Sequence, residues 1–149
     1  MNVRRAVLAD AAIIASFNQA MALETENKVL PDETINAGVT AQISNPDHGY
    51  YLVVENDLAE VVGCLGITFE WSDWRNSQFL WIQSVYIAPS GRRQGAFRAL
   101  YANVIHTAQA DPQVCGVRLY VEQENDSAHA TYIALGMAKT HYDLLEIEV

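Results

Sequence analysis

Apolar residues recur along this chain with two different spacings, and the change of spacing separates predicted helices from predicted strands. Three stretches have apolar residues three and four positions apart, as on one side of a helix. They are Ile13, Ile14, Phe17 and Met21 after Asp10; Ile35, Val39 and Ile43 after Pro31; and Phe97, Leu100, Tyr101, Val104, Ile105 and Ala108 after Arg92. A shorter fourth helix is predicted to begin at Asn125 or Asp126 and to close at Gly136.

Apolar runs with strand character lie between these helices. They are Asn2 to Val7, Tyr50 to Glu55, Glu60 to Phe69, Phe79 to Ile87, and Val114 to Val121. The run that begins at Phe79 is almost wholly apolar, which is typical of a central strand that is covered on both faces. Two further strands are predicted at the C-terminal end, where Leu145, Ile147 and Val149 alternate with glutamates. The order of elements predicts a mixed sheet with helices packed on it.

Composition limits the possible functions. The chain has 149 residues, half of them hydrophobic, and a formal net charge of −9. This charge argues against non-specific nucleic-acid binding, which depends on neutralising phosphates, and is compatible with a cationic substrate. No apolar stretch approaches the ~20 residues of a membrane span, so no membrane association is expected. With no repeat or linker, one domain over 1–149 is predicted.

The two cysteines and the N-terminus indicate the compartment. Cys64 and Cys115 lie inside apolar runs without the spacing of a metal site, so we expect two buried thiols and no metal. Asp10 interrupts the apolar residues near the N-terminus, where a secretory signal needs an unbroken apolar segment. A cytoplasmic location is expected.

The join between the strand ending at Ile87 and the third helix contains a loop suited to an anion. Its residues are Pro89, Ser90, Gly91, Arg92, Arg93, Gln94, Gly95 and Ala96. Free backbone N–H groups at a helix start, together with the helix dipole, form an anion site. Gly95 permits close approach of a ligand, and the arginines add charge for phosphate. The loop predicts a pyrophosphate cradle; the alternative is an ordinary strand-to-helix turn with solvated arginines.

Two motifs of the chain resemble the coenzyme-side motifs of the GNAT family of N-acetyltransferases. Arg92-Arg93-Gln94-Gly95-Ala96-Phe97 resembles the family's Arg/Gln-x-x-Gly-x-Gly/Ala signature, with Phe97 where the family usually has glycine or alanine. The second motif is the strand Leu119-Tyr120-Val121-Glu122 followed by Asn125, Ala128, Tyr132, Gly136 and Met137. The order of elements also matches over essentially the whole chain. Phe97 falls on the apolar side of its helix, so we expect it to leave the backbone cradle intact.

This resemblance implies a fold, a co-substrate and a set of site residues. The implied fold is α+β (α/β), a single-domain GNAT-like mixed, mostly antiparallel β-sheet flanked by about four helices. The implied co-substrate is acetyl-CoA (coenzyme A). Its implied contacts are Val85, Tyr86, Ile87, Arg92, Arg93, Gln94, Gly95, Ala96, Phe97, Arg98, Asn125, Ala128 and Tyr132.

Within this set the resemblance implies particular roles. The backbone of Val85 and Ile87 pairs with the pantetheine arm like an added strand, and an N–H near Val85 polarises the thioester carbonyl. Main-chain N–H groups from Arg92 to Arg98 hold the pyrophosphate, and Asn125 contacts the end of the pantetheine. Tyr132 stands near the thioester sulfur as general acid, because a phenol can protonate the departing thiolate. The alternative for Tyr132 is a packed side chain at the sheet edge.

The acceptor side offers fewer signals. Members of the family often carry a basic carboxylate on the central strand, but residues 79–85 contain none. The candidate bases are therefore Glu70 and Asp73, and Gln83 is a candidate to orient a water. The candidate substrate-binding residues are Glu24, Glu26, Trp71, Asp73, Trp74 and Trp81. Carboxylates and tryptophan faces can bind a cation, although the same loop can be a simple hairpin.

These observations predict an N-acetyltransferase that acts on a small cationic amine by direct attack in a ternary complex. A protein or peptide amine is the alternative acceptor. A catalytically silent module that binds coenzyme A is the alternative in a different class, since the central strand lacks a carboxylate. A homodimer is compatible with the sequence.

Overall fold

A computed structural model describes all residues, 1–149. Their contacts divide the chain into two compact units, Met1–Leu119 and Tyr120–Val149. The first unit contains β1 (Asn2–Arg5), α1 (Ala11–Glu26), α2 (Asp32–Ser44), β2 (Tyr50–Glu55), β3 (Val61–Ser72), β4 (Ser77–Ile87), α3 (Ala96–Ala110) and β5 (Val114–Leu119). The second unit contains α4 (Asp126–Ala134). The expectation of a single domain over 1–149 stays a prediction.

The five strands form one sheet in the order β1-β2-β3-β4-β5. The first three pairings are antiparallel, and β4 pairs with β5 in parallel. This mixed, mostly antiparallel sheet with four helices confirms the predicted α+β fold. No helix is long and apolar enough to cross a membrane.

Helices α1 and α2 cover one face of the sheet. Ile14 and Phe17 of α1 pack with Val39 of α2 against sheet residues that include Cys64 and Tyr86. The rings of Phe17 and Tyr86 lie 5.5 Å apart, centroid to centroid. We call this side of the sheet the helix-pair face. Helix α3 contributes fully buried residues such as Leu100 to the remaining core.

A β-bulge interrupts β4 in the middle of the sheet. Leu65 of β3 pairs with Val85, but Ile67, two residues further along β3, pairs with Ile82, three residues away on β4. The extra residue falls at Gln83 and Ser84, where a bulge locally breaks the ladder and bends the strand. On the other side of β4, pairing with β5 ends at Ile82 and Leu119.

Two expectations about local structure are wrong. Residues 137–149 form no strand, although alternation predicted two. Alternation of apolar and polar residues shows that a segment is suited to a strand with one buried face. It does not show whether a neighbouring strand is present to form the hydrogen-bonded ladder. Cys115 is exposed rather than buried because it lies on the edge strand β5, whereas Cys64 is buried as expected.

Candidate active site

A surface cleft of about 280 Å³ lies where the end of β4 meets the start of α3. It is lined by Ile87, Gly91, Arg92, Arg93, Gly95, Ala96, Phe97 and Arg98. The structure thus brings the predicted pyrophosphate loop together around an open depression. Phe97 is half-buried, with its ring 6.1 Å from that of the buried Tyr101, so it packs along the helix instead of closing the loop.

Backbone N–H groups at the start of α3 face this cleft without acceptors. The first N–H with a helical partner is that of Ala99, which donates to the Gly95 carbonyl at 2.9 Å. No side chain caps the helix, so the N–H groups of Ala96 and Arg98 have no acceptor in the chain. Gly95 has a φ of +83°, and a Cβ there would meet no atom within 4 Å. The arrangement is an anion site of the kind found at helix starts.

Arg92 is engaged elsewhere. Its guanidinium donates to Glu24 Oε2 at 2.8 Å and to the Ile87 carbonyl at 3.0 Å. Tyr86 Oη donates to the other oxygen of Glu24 at 2.7 Å. The other two arginines that line the cleft, Arg93 in the loop and Arg98 in α3, make no side-chain hydrogen bond within the chain.

This three-residue cluster of Glu24, Tyr86 and Arg92 ties the end of α1 to the end of β4. The hydrogen bonds from Tyr86 and then Arg92 lower the pKa of Glu24 below its ordinary value. Burial and the bond to Glu24 raise the pKa of Tyr86. Glu24 therefore stays ionised and Tyr86 stays protonated, so Glu24 is a poor proton acceptor. Glu26, the last residue of α1, is exposed.

The end of β4 has an open backbone edge. The N–H of Ala88 donates to the Val62 carbonyl of β3 at 2.8 Å. Because successive residues of a strand direct their N–H groups to opposite sides, those of Val85 and Ile87 face away from β3. No strand pairs with β4 on that side beyond Ile82. The two residues predicted to pair with an extended ligand thus have backbone groups directed at a free edge.

The second unit holds the remaining predicted coenzyme residues. Asn125 caps α4, since its side-chain oxygen accepts from the Ala128 N–H at 3.1 Å. Ala128 and Tyr132 lie on α4 and are partly exposed. Their proposed contacts with coenzyme A, and the acid role of Tyr132, stay predictions.

A group of polar side chains also lies on the helix-pair face. We call it the polar sheet surface, and it consists of Thr68, Glu70, Trp81, Gln83 and Arg118. Glu70 forms an ion pair with Arg118 and accepts from Trp81 Nε1 at 2.9 Å. Gln83 Nε2 donates to Thr68 Oγ1 at 2.9 Å. The guanidinium of Arg118 also lies 3.7 Å from the centroid of the Phe79 ring. Three predicted residues, Glu70, Trp81 and Gln83, are thus on one surface beside the β4 bulge.

The predicted tryptophan loop does not join this surface. Successive side chains of a strand point to opposite faces, so Trp71 lies on the face opposite to Glu70. Asp73 and Trp74 sit in the turn between β3 and β4, and the Trp74 side chain is 86% exposed. The Asp73 carboxylate accepts from the Trp74 N–H at 2.9 Å, as in an ordinary turn. Their contact with an acceptor stays a prediction.

Two partners in the site were missed by the sequence analysis. Arg118 binds Glu70 across 48 positions of sequence, and Tyr86 binds Glu24 across 62. Only the pairing of β3, β4 and β5 places Arg118 beside Glu70, and no local pattern signals it. Tyr86 was predicted as a coenzyme residue; its hydroxyl donates to Glu24 within the protein, and its contact with coenzyme A stays a prediction.

Comparison with known proteins identifies the family. The model of the Acetyltransferase (GNAT) family matches residues 15–137. A possible acetyltransferase from Clostridium difficile 630 shares 41% sequence identity, with 99% of this chain and 97% of that chain covered and a TM-score of 0.94. A ribosomal-protein-alanine N-acetyltransferase from Brucella melitensis biovar Abortus 2308 has a TM-score of 0.79 at 14% identity, over the full length of both chains. At that identity the likeness shows the fold alone.

A search of curated proteins finds no significant match. The family match covers the coenzyme-side loop and all of α4, and the similar structure at 41% identity extends over nearly the whole chain. Together with the anion site at the start of α3, these findings show that the chain belongs to the Acetyltransferase (GNAT) family.

Proposed function

We propose that this protein transfers the acetyl group of acetyl-CoA to the primary amine of a small cationic molecule by direct attack in a ternary complex. The observation that carries the proposal is the start of α3, where backbone N–H groups without acceptors, a left-handed Gly95 and Arg93 line one cleft. A diphosphate needs such donors and positive charge. The residues present therefore fit the phosphate end of coenzyme A.

The open edge of β4 fits the pantetheine arm. An extended chain with amide groups can pair with a free strand edge through main-chain hydrogen bonds. Val85 and Ile87 direct their N–H groups to that edge, although the Ile87 carbonyl already accepts from Arg92. The Val85 N–H, next to the bulge, is assigned to polarise the thioester carbonyl. Acetyl-CoA supplies the activated acetyl group when bound.

The polar sheet surface is assigned to the acceptor. A carboxylate can accept about four hydrogen bonds, and Glu70 accepts one from Arg118 and one from Trp81. It can therefore bind an ammonium group without losing its present partners. For the same reason Glu70 is better suited to bind the acceptor than to take its proton, because protonation would break the ion pair with Arg118.

The proton steps need a base and an acid. The ammonium form of an alkyl amine has a pKa of about 10, so it must lose a proton before the neutral amine can attack. Gln83 is exposed and uses only its amide nitrogen inside the chain, so its carbonyl oxygen is available to hold the water that takes this proton. The new C–N bond forms as the C–S bond breaks; Tyr132 gives a proton to the thiolate, and the nitrogen of the new amide loses its remaining extra proton to solvent.

The test is the release of free thiol from acetyl-CoA across a panel of matched amines. We expect a diamine to be acetylated faster than a neutral monoamine of the same length, and faster than a peptide with a free N-terminus. Preference for the peptide would refute the small acceptor and leave acetyl transfer standing. Coenzyme binding without thiol release for any amine would instead support the silent module.

A further inference from the structure

The bulge of β4 places two consecutive side chains on one face of the sheet. Trp81 and Gln83 share the polar sheet surface, on the helix-pair face. Beyond the bulge, Tyr86 lies on the same face, in the core with α1 and α2, so alternation along the strand puts Ser84 there as well. Gln83 and Ser84 thus leave the strand on the same side, and the single residue opposite to them on β3 is Gly66.

The ring of Tyr51 lies over this glycine. Tyr51 of β2 pairs with Gly66 in the ladder, and a Cβ on Gly66 would come within 3.0 Å of a carbon of the ring. A side chain at position 66 would therefore have to displace the ring. Because Gly66 has none, the Tyr51 side chain can extend across β3 toward the bulge of β4.

The hydroxyl of Tyr51 is buried and bound from two sides. Asn18 of α1 donates to it from Nδ2, over a distance of 3.3 Å. Burial raises the pKa of Tyr51, and hydrogen bonds with Asn18 and Ser84 oppose this rise. The hydroxyl therefore stays protonated. Because Asn18 donates to its oxygen, its proton is left for Ser84.

Asn18 has a feature that stability does not account for. It is 2% exposed, and its Oδ1 has no hydrogen-bond partner in the chain. A buried carbonyl oxygen without a partner destabilises a fold, and such groups are uncommon in native proteins. The side-chain hydrogen bond that Asn18 does make goes to Tyr51, so it fixes the direction of that hydroxyl.

We propose that Tyr51 is a positioning residue, which acts through Ser84 to hold the β4 bulge in the shape that aims the Val85 N–H at the thioester carbonyl. This rests on the proposed function, in which that N–H polarises the carbonyl. The other residue of the bulge, Gln83, is bound to the Thr68 hydroxyl. Both residues of the bulge are thus fixed by side-chain hydroxyls, and the N–H that follows them in the chain has a fixed direction.

Infrared spectroscopy of bound acetyl-CoA, isotope-labelled at the thioester carbonyl, tests this role without an acceptor. A hydrogen bond that polarises a carbonyl weakens its C=O bond and so lowers its stretching frequency. We expect a lower frequency on the wild type than in free acetyl-CoA. On Tyr51→Phe, which keeps the ring and loses the hydroxyl, the frequency should return toward the free value.

Tyr50→Phe is the matched control. Tyr50 is also buried, but it lies on the opposite face of β2, away from the bulge. The variant loses the same hydroxyl group from the neighbouring position of the strand. It should keep the wild-type carbonyl frequency and the wild-type kcat.

Turnover gives an independent measurement. A small misplacement of a reacting group can lower a rate by about 100-fold, so we expect kcat of Tyr51→Phe to fall by about 10- to 100-fold. The dissociation constant of coenzyme A and KM for the amine should stay at their wild-type values, which a general loss of structure would not allow.

Ser84→Ala tests the other end of the contact. Ser84 is only half-buried, so this variant is informative even where the change at Tyr51 destabilises the fold. We expect it to lower kcat by a factor similar to that of Tyr51→Phe. The double variant should fall no further than either single variant, because both changes remove the same hydrogen bond.

Three outcomes would overturn the positioning role of Tyr51. Wild-type kcat and carbonyl frequency in Tyr51→Phe would do so and leave acetyl transfer standing. Equal losses in Tyr50→Phe, or additive losses in the double variant, would also do so, because the hydroxyl would then not act through Ser84. If acetyl-CoA binds to the wild type without a change of frequency, the Val85 N–H does not polarise the carbonyl, and that part of the proposed function fails as well.

Discussion

The coenzyme side and the acceptor side of this protein are built in different ways. At the start of α3, the groups that fit a diphosphate are mainly backbone N–H groups, held by a short loop with Gly95 at a φ of +83°. On the polar sheet surface, the groups are side chains from three strands, and Glu70 and Arg118 are 48 residues apart. A backbone site depends on local conformation, whereas the sheet surface depends on the register of distant strands.

The largest effect should come from Tyr132, whose proposed task is chemical. Tyr132→Phe removes the proton donor and keeps the ring, so we expect kcat to fall by ~10² to 10⁴. The dissociation constant of coenzyme A, measured by titration calorimetry, should stay at the wild-type value. Wild-type turnover under conditions where chemistry limits the rate would remove Tyr132 from the mechanism.

Glu70→Gln should separate acceptor binding from coenzyme binding. The change keeps the shape and removes the charge, and a hydrogen bond to a charged group contributes about 1.5–3 kcal/mol. We therefore expect KM for a cationic amine to rise by about 10- to 100-fold. KM for acetyl-CoA and for a neutral amine should change little, and both serve as internal controls.

The exposed turn provides a contrast to Glu70. Trp74→Ala should raise KM for the cationic amine only slightly, because an exposed cation over an aromatic ring is stabilised by about 0.5–1 kcal/mol. A larger effect at Trp74 than at Glu70 would move the acceptor site from the polar sheet surface to the β3–β4 turn.

Gly95→Ala should weaken coenzyme binding through the backbone alone. A left-handed conformation costs a residue with a Cβ about 1–2 kcal/mol, so the loop is expected to relax and redirect its N–H groups. Affinity for coenzyme A should fall about 10-fold, with KM for the amine unchanged. Gly38→Ala is the matched control. Gly38 lies in the middle of α2, and a Cβ at this position would meet no atom within 4 Å. It should leave affinity unchanged and raise the free energy of unfolding.

The smallest effect concerns pH and the cluster of Glu24, Tyr86 and Arg92. The pKa of Glu24 is lower in the folded protein than that of an ordinary carboxyl group. The stabilisation that the ionised Glu24 provides is therefore present above the ordinary carboxyl pKa, and it is lost as the pH falls through the folded-state pKa of Glu24. The free energy of unfolding of the wild type should therefore fall more steeply than that of Glu24→Gln below about pH 4.3. Parallel acid profiles would show that the cluster contributes nothing to stability.

The sequence predicted what local patterns determine. Helices α1 and α2, the central strand β4 and the loop before α3 each have their own signature in a few neighbouring residues. The pair of Glu70 with Arg118 could not be predicted, because it requires the register of β3, β4 and β5. The C-terminal strands were predicted wrongly for a related reason: alternation describes the segment, and a strand needs a partner as well.

The central claim is that the start of α3 holds coenzyme A, and equilibrium unfolding with and without the ligand tests it most directly. A ligand that binds only the folded state at about 100 times its dissociation constant adds about 2.7 kcal/mol to the free energy of unfolding. We expect this increase with saturating acetyl-CoA and with coenzyme A, and a smaller increase at the same concentrations for Gly95→Ala. An unfolding free energy that acetyl-CoA leaves unchanged at millimolar concentration would contradict the account.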